Sequence, residues 1–194
     1  MQNRVNHTAR PRKGHPYAFK DYEDDCIIHQ SMVGFLESLW KGAPCDSCFF
    51  LATTDPDGKK WREHVVHGDN ITIGLNRFFH QHSRWDFNLY FCPNPFFKDR
   101  RKKKFARPSR LGWCDIDEAD PYAFRPEASL VWETSPGRFQ GAWLWDGWHS
   151  RAEAEGYSRS LADRHGGDSG WTITKMLRVP GSVNHKPQYD EPFV

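Results

Sequence analysis

The chain has no apolar run long enough to cross a bilayer, and its first residues lack the continuous apolar segment of a secretory signal. A soluble, cytoplasmic protein with no membrane partner is therefore expected. Charge of one sign is also lacking: 27 Lys and Arg against 25 Asp and Glu leave a net +2. Any contact with a polyanion must then come from local clustering, not from bulk charge. Cysteine is scarce and odd in number, 5 in 194 residues, which argues for reduced thiols over a disulfide framework. Cys45-x-x-Cys48 has the spacing of half a zinc site, yet no second Cys pair or spaced His pair follows at finger-like distance. Ordinary buried thiols are the simpler reading, with Cys26, Cys92 or a His as the residues that could complete a site. No internal repeat is visible.

Aromatic residues are plentiful. Nine Trp and fourteen Phe supply core volume, and 194 residues suffice for one large domain. Residues 1–20 are basic and proline-bearing, and are read as a flexible arm before a single domain over 21–194. Ile28, Met32, Phe35, Leu36 and Leu39 share one face of a helix from about Glu23 to Trp40, with Gly42 as its stop. Two β-rich runs around Asp55-Pro56-Asp57-Gly58 predict a hairpin, followed by a helix starting near Asn70 and a strand over 87–92. A long loop then leads into a strand from Leu111 to Asp117. A second hairpin turns at Ser135-Pro136-Gly137-Arg138, and Ser150-x-x-Glu153 is a capping box for a helix ending at Gly166-Gly167. Residues 171–179 are expected as a strand or strand–helix junction, and 180–186 as a tight turn with an exit strand. Strands outnumber helices and come as hairpins, so the expected class is α+β with a largely antiparallel sheet.

Three stretches carry chemistry. In "LGWCDIDEAD", Asp115 and Asp117 are two apart, so a strand turns both carboxylates to one face, and a cation is expected between them. Such a pair can hold Mg²⁺ or Mn²⁺, hard ions that prefer oxygen ligands; an acidic surface turn with Glu118 and Asp120 is the plainer alternative. The block over 98–110 contains Arg100, Arg101, Lys102, Lys103, Lys104 and Arg107 against the single acid Asp99. It feeds straight into the Asp strand, where phosphates would need neutralising. "ETSPGRFQ" offers Ser135, Arg138 and Gln140 at a tight turn, and "KMLRVPGSVNHK" offers Lys175, Arg178, Asn184 and Lys186.

The order of these motifs, over roughly residues 87–188, resembles the phage and plasmid primase-polymerases of the archaeo-eukaryotic primase superfamily. "LRVPGSVNHK" is the most specific segment. The resemblance implies an RRM-like antiparallel sheet with flanking helices (about 86–190) packed on an N-terminal αβ unit (about 21–85), the active site lying between them. It implies a nucleotidyltransferase with a two-metal site (Mg²⁺ or Mn²⁺) that makes or extends primers on a DNA template from dNTPs or NTPs, in the host cytoplasm if phage-encoded, alongside a helicase. Asp115 and Asp117 match the catalytic, metal-binding pair. Ser135, Arg138, Gln140, Lys175, Arg178, Asn184 and Lys186 become nucleotide-binding candidates, and the basic block becomes the DNA contact. Gln140 stands where the family has His. Thr172 stands where a third carboxylate is expected, which leaves Asp168, Glu133 or Thr172 itself to complete the metal site.

That substitution supports a second reading, a replication-protein domain that binds nucleic acid or nucleotide without polymerising. A third is a rolling-circle nickase, in which His80 and His82 form a metal pair and Tyr157 is the nucleophile.

Overall fold

The apolar stripe near the start of the chain forms a helix, α1 (Asp21–Trp40), whose Met32, Leu36 and Trp40 are buried. The computed structural model describes residues 21–186 and Phe193, with side chains from Asp25 onward; the expected basic arm lies outside the described residues. Trp40 stacks on Phe49 at 4.5 Å between centroids, which seats α1 on the strand β1 (Cys48–Thr54). All seven β1 residues are buried. Phe49 and Leu51 face the helices, whereas Cys48 and Phe50 face the long loop that carries Phe96. Burial on both faces explains why "CFFLATT" is uniformly apolar or small instead of alternating.

β1 pairs with β2 (Arg62–His67) through the expected turn, where the Gly58 N–H donates to Asp55 O at 2.9 Å. α2 (Ile71–Gln81) follows and buries Leu75, Phe78 and Phe79. β3 (Asn88–Phe91) pairs with β1, and the two-residue β7 (Leu177–Arg178) with β3, so this antiparallel sheet runs β2-β1-β3-β7. The second sheet is β4 (Ser109–Ile116), β6 (Arg138–His149) and β5 (Leu130–Ser135), in the order β4-β6-β5 and also antiparallel. α3 (Arg151–His165) packs on β4. Ser150 and Glu153 make the expected capping box, and Gly166 ends α3 at φ 73°. At Gly112 a Cβ would meet Tyr157 Cδ1 of α3 at 2.5 Å, so only glycine permits this close approach of helix and strand.

The α+β class and the antiparallel pairing are as expected. Some boundaries differ. β4 begins at Ser109 and ends at Ile116, one residue short of Asp117. Most of residues 171–179 is irregular, and only Leu177–Arg178 pair as strand. The exit strand reduces to a bridge between Asn184 and Phe193. β3 and β7 lie beyond residue 85 yet complete the sheet that β1 and β2 begin. One apolar cluster joins α1, β1 and β3 to Leu111 and Trp113 of β4, so a single core supports both sheets.

Candidate active site

Asp115 lies opposite Gln140 in the β4–β6 ladder, and Asp117 follows just past the strand end. Both are half-buried. Each carboxylate has its own cation, where a single shared one was expected. Lys175 Nζ lies 2.8 Å from Asp115 Oδ2, and Arg138 Nη1 lies 2.9 Å from Asp117 Oδ1. The β5–β6 hairpin turn and the loop before β7 therefore converge on the Asp pair. The neighbouring Cys114 is turned away into the core, where burial, with the Asp115 charge added, pushes its thiol up to about 12.

Gln140 is buried and joins the two sheets. Its Nε2 donates to Asp115 Oδ1 at 3.2 Å, while its Oε1 accepts from the Arg178 backbone N–H at 2.9 Å. Directly across β5, the Trp132 indole N–H donates to Arg178 O at 3.1 Å. Two side chains thus pair with β7 as a neighbouring strand would. A carboxylate on one side and a backbone N–H on the other fix the orientation of the Gln140 amide. Arg178 is buried as well. Its guanidinium donates to Asn88 Oδ1, Val183 O, Tyr90 Oη and Asn184 Oδ1 at 3.1–3.2 Å and lies over the Tyr90 ring at 5.0 Å. Asn184, also buried, donates to Thr134 O at 2.7 Å, and Ser135 is buried beside it in β5. Of the nucleotide-binding candidates, Arg138, Lys175 and Lys186 reach the surface, whereas Ser135, Gln140, Arg178 and Asn184 shape the frame behind them.

The segment after α3 brings a third carboxylate near. The Asp168 backbone N–H donates to Asp115 O at 2.8 Å, and Asp168 Oδ2 stands 3.9 Å from the same Lys175 Nζ. Two glycines permit this. A Cβ on Gly167 would collide with Cys114 Sγ and lie 3.1 Å from Asp115 O, and one on Gly170 would collide with the Lys175 side chain. Thr172 is exposed and its hydroxyl pairs with that of Thr174 at 3.3 Å. Glu133 fails as a substitute. It sits in β5 next to Trp132, and strand alternation turns it away toward the hairpin turn, where it accepts from the Gly137 N–H at 2.7 Å. Among the described residues, no three His, Cys, Asp or Glu side chains gather closely enough to hold an ion by themselves.

The basic loop divides in two. Arg101 pairs with Glu63 and donates to Thr174 O, Lys103 pairs with Glu155 at 2.5 Å, and Arg107 pairs with Asp46 at 2.6 Å. Burial pushes the Glu63 carboxyl up, but the hydrogen bond and charge of Arg101 outweigh it and leave the group below its usual value. Those three cations tie the loop to α3, to β2 and to the segment before β1. Arg100, Lys102 and Lys104 remain exposed, with Lys104 over the Phe105 ring at 5.1 Å.

Several residues that matter here carry no motif. Asn88 accepts from both Arg178 and the His185 N–H. Buried Glu155 accepts from the Ile173 N–H at 2.9 Å as well as pairing with Lys103. A polar residue inside the apolar run "FNLYFC" was the only available sign of Asn88. The nickase residues do not assemble. His82 packs against His64 and Phe78 while His80 points to solvent, and Tyr157 is packed against Trp145. Cys45 is exposed, whereas the buried Cys48 thiol faces His67 Nδ1 at 3.8 Å.

Comparison with known proteins bears on the fold. Residues 117–192 match the sequence family described as the RepB DNA-primase N-terminal domain. Comparison with curated proteins found no match. Among solved structures, the primase RepB' superposes with TM-score 0.61 at 16% identity, over 84% of this chain and 54% of that one. The catalytic domain of RepB' in complex with initiator DNA gives 0.59 at 15% identity, over 85% and 82%. The AEP domain of the cyanophage S-2L primase-polymerase gives 0.56 at 12% identity, over 77% and 80%. The chain spans about half of the RepB' primase chain. The chain shares its fold with these three structures.

Proposed function

We propose that the chain is the catalytic domain of a DNA-replication primase-polymerase, joining nucleotides on a DNA template by metal-dependent nucleotidyl transfer. The observation that carries this reading is the meeting of Asp115 and Asp117 with Lys175 and Arg138 between the two sheets. The donor set suits Mg²⁺ or Mn²⁺, which are commonly held by one or two carboxylates, the remaining positions going to water and substrate phosphates. Asp115 and Asp117 would hold the ions, with Asp168 next in reach. A divalent ion held there would supply positive charge to offset charge developing on a phosphate. Lys175 and Arg138, displaced from the carboxylates, would turn to phosphate oxygens; Arg138 offers a planar fork and Lys175 a mobile point charge. Lys186 would add a third cation. Gln140, Arg178, Ser135 and Asn184 would hold this frame in place.

DNA template or primer and a dNTP or NTP are the partners, with a helicase as a further replication partner in the cytoplasm. The relative solved with initiator DNA supports the DNA partner. Arg100, Lys102 and Lys104 would meet the strand. The ion pairs that already satisfy both carboxylates favour one other reading, a domain that binds DNA without turnover. Primer extension with Mg²⁺ or Mn²⁺ by wild type beside Asp115→Ala separates the two. Incorporation by wild type and at least a hundredfold loss in the variant support catalysis. DNA binding by both without incorporation by either leaves only the binding domain.

A further inference from the structure

Trp61 belongs to none of the motifs above, yet it sits at an unusual place. Its indole is 45% exposed and lies 5.3 Å from the Tyr90 ring, tilted by 37°. The indole N–H donates to Glu63 Oε1 at 3.2 Å, which fixes its rotation. Tyr90 is fixed in turn, since its hydroxyl accepts from Arg178 Nη2 at 3.2 Å and Arg178 lies over its ring. The ladders place Glu63, Ala52, Tyr90 and Arg178 in one row across the first sheet, their side chains on one face. That face is bounded by the basic loop on one side, through the Arg101–Glu63 pair, and by the Lys175 segment on the other, through Arg101 and Thr174 O. Three hydrogen bonds lead from Tyr90 through Arg178 and Gln140 to Asp115.

A partly exposed indole, held in rotation by Glu63 and backed by Tyr90, suits a planar ligand. Its flanks suit an anionic one, because Lys60 and Arg62 adjoin Trp61 and both are exposed. Lys60 itself takes the left-handed conformation at φ 50°, uncommon for a side chain of its kind, at the bend that delivers Trp61 to Tyr90.

Resting on the primase reading of the Asp site, we propose that Trp61, backed by Tyr90, is the stacking platform for a nucleobase. The base belongs either to the incoming nucleotide or to the template strand. Stacking on an aromatic side chain tolerates any base, so the platform gives affinity and position without sequence choice.

The test uses 2-aminopurine, whose fluorescence falls on stacking, in two arms. One is its deoxyribonucleoside triphosphate with Mg²⁺, the other a single-stranded oligonucleotide carrying it. Wild type should quench in at least one arm, and that arm identifies the source of the base. Trp61→Ala should lose the quenching there and bind roughly 5- to 100-fold more weakly, with Trp61→Phe recovering most of both. Trp61→Leu keeps an apolar cover on Tyr90 without an aromatic face and serves if the Ala variant unfolds. Unchanged affinity and quenching in both arms for Trp61→Ala or Trp61→Leu, beside normal primer extension, overturns the platform and spares the primase reading. Stacking lost in the variants while wild type extends no primer supports the platform and removes the catalysis. A wild type that quenches in neither arm overturns the platform.

Discussion

Replacing Gln140 by Leu keeps the side-chain volume close but removes both hydrogen bonds of its amide. The Arg178 N–H would lose its acceptor at a site only 6% exposed, and an orphaned buried donor costs about 1–3 kcal/mol. The bond to Asp115 involves a charge but is long at 3.2 Å and shares that carboxylate with Lys175, so about 1 kcal/mol is a fair share for it. Gln140→Leu should therefore destabilise by about 2–4 kcal/mol, a fall in Tm of roughly 4–16 °C for a domain of this size. Calorimetry with a urea titration at pH 7 reads both. Gln140→His should recover much of the loss, because a neutral imidazole accepts at one nitrogen and donates from the other. Gln140→Glu keeps an acceptor for the Arg178 N–H but sets a second anion against Asp115, so its deficit should grow between pH 5 and pH 8. A Gln140→Leu variant within about 0.5 kcal/mol of wild type, the usual range for an inconsequential surface change, would refute the account of Gln140 as the link between the sheets.

Three further expectations follow from the same contacts. Glu155→Ala strips the acceptor from the fully buried Ile173 N–H and the partner from Lys103, and should lower stability by about 2–3 kcal/mol in a urea titration. Replacing Arg100, Lys102 and Lys104 together by Ala should reduce the slope of log K against log salt for single-stranded DNA by about 2, while the melting temperature stays near that of wild type. His64 is held below its usual value of 6.5 by burial first, then by the nearby His82 and Arg62. The unfolded chain takes up that proton more readily, so stability present above about pH 6.5 should decline as the pH falls below it. His64→Phe, which keeps a ring against Phe78, should flatten that decline in denaturation midpoints between pH 5 and 8.

How much of this was legible in the sequence depended on how local the signal was. α3 was readable because Ser150, Glu153 and Gly166 mark its ends with their own hydrogen bonds and backbone angle. The turn at Gly137 and the Asp strand were local too. The loop before β7 misled, because "WTITKMLRV" has strand composition but takes its hydrogen bonds from afar: Ile173 from Glu155, Thr174 from Arg101, Arg178 from Gln140 and Trp132. Charge misled similarly in the basic loop, where composition cannot reveal that Asp46, Glu63 and Glu155 meet Arg107, Arg101 and Lys103 from distant elements. The Asp pair was readable as chemistry, but the approach of Asp168 depended on two glycines whose role only the packing shows.

The Arg101 guanidinium has a mechanical consequence. It grips Glu63 on β2 and the carbonyl of Thr174, one residue before Lys175, while Glu155 holds Lys103 of the same loop and the N–H of Ile173. The basic loop closes on itself through the Phe96–Ala106 bridge, where the Phe97 N–H donates to Phe105 O and the Arg107 N–H to Pro95 O, so these side chains couple a braced loop to the largely irregular segment before β7. Tension applied at Arg100 or Lys102 is transmitted to Thr174, and through the next residue to the ammonium on Asp115. A load on the outside of the loop would thus reach the grip at the carboxylates through side-chain contacts, with no strand pairing in its path.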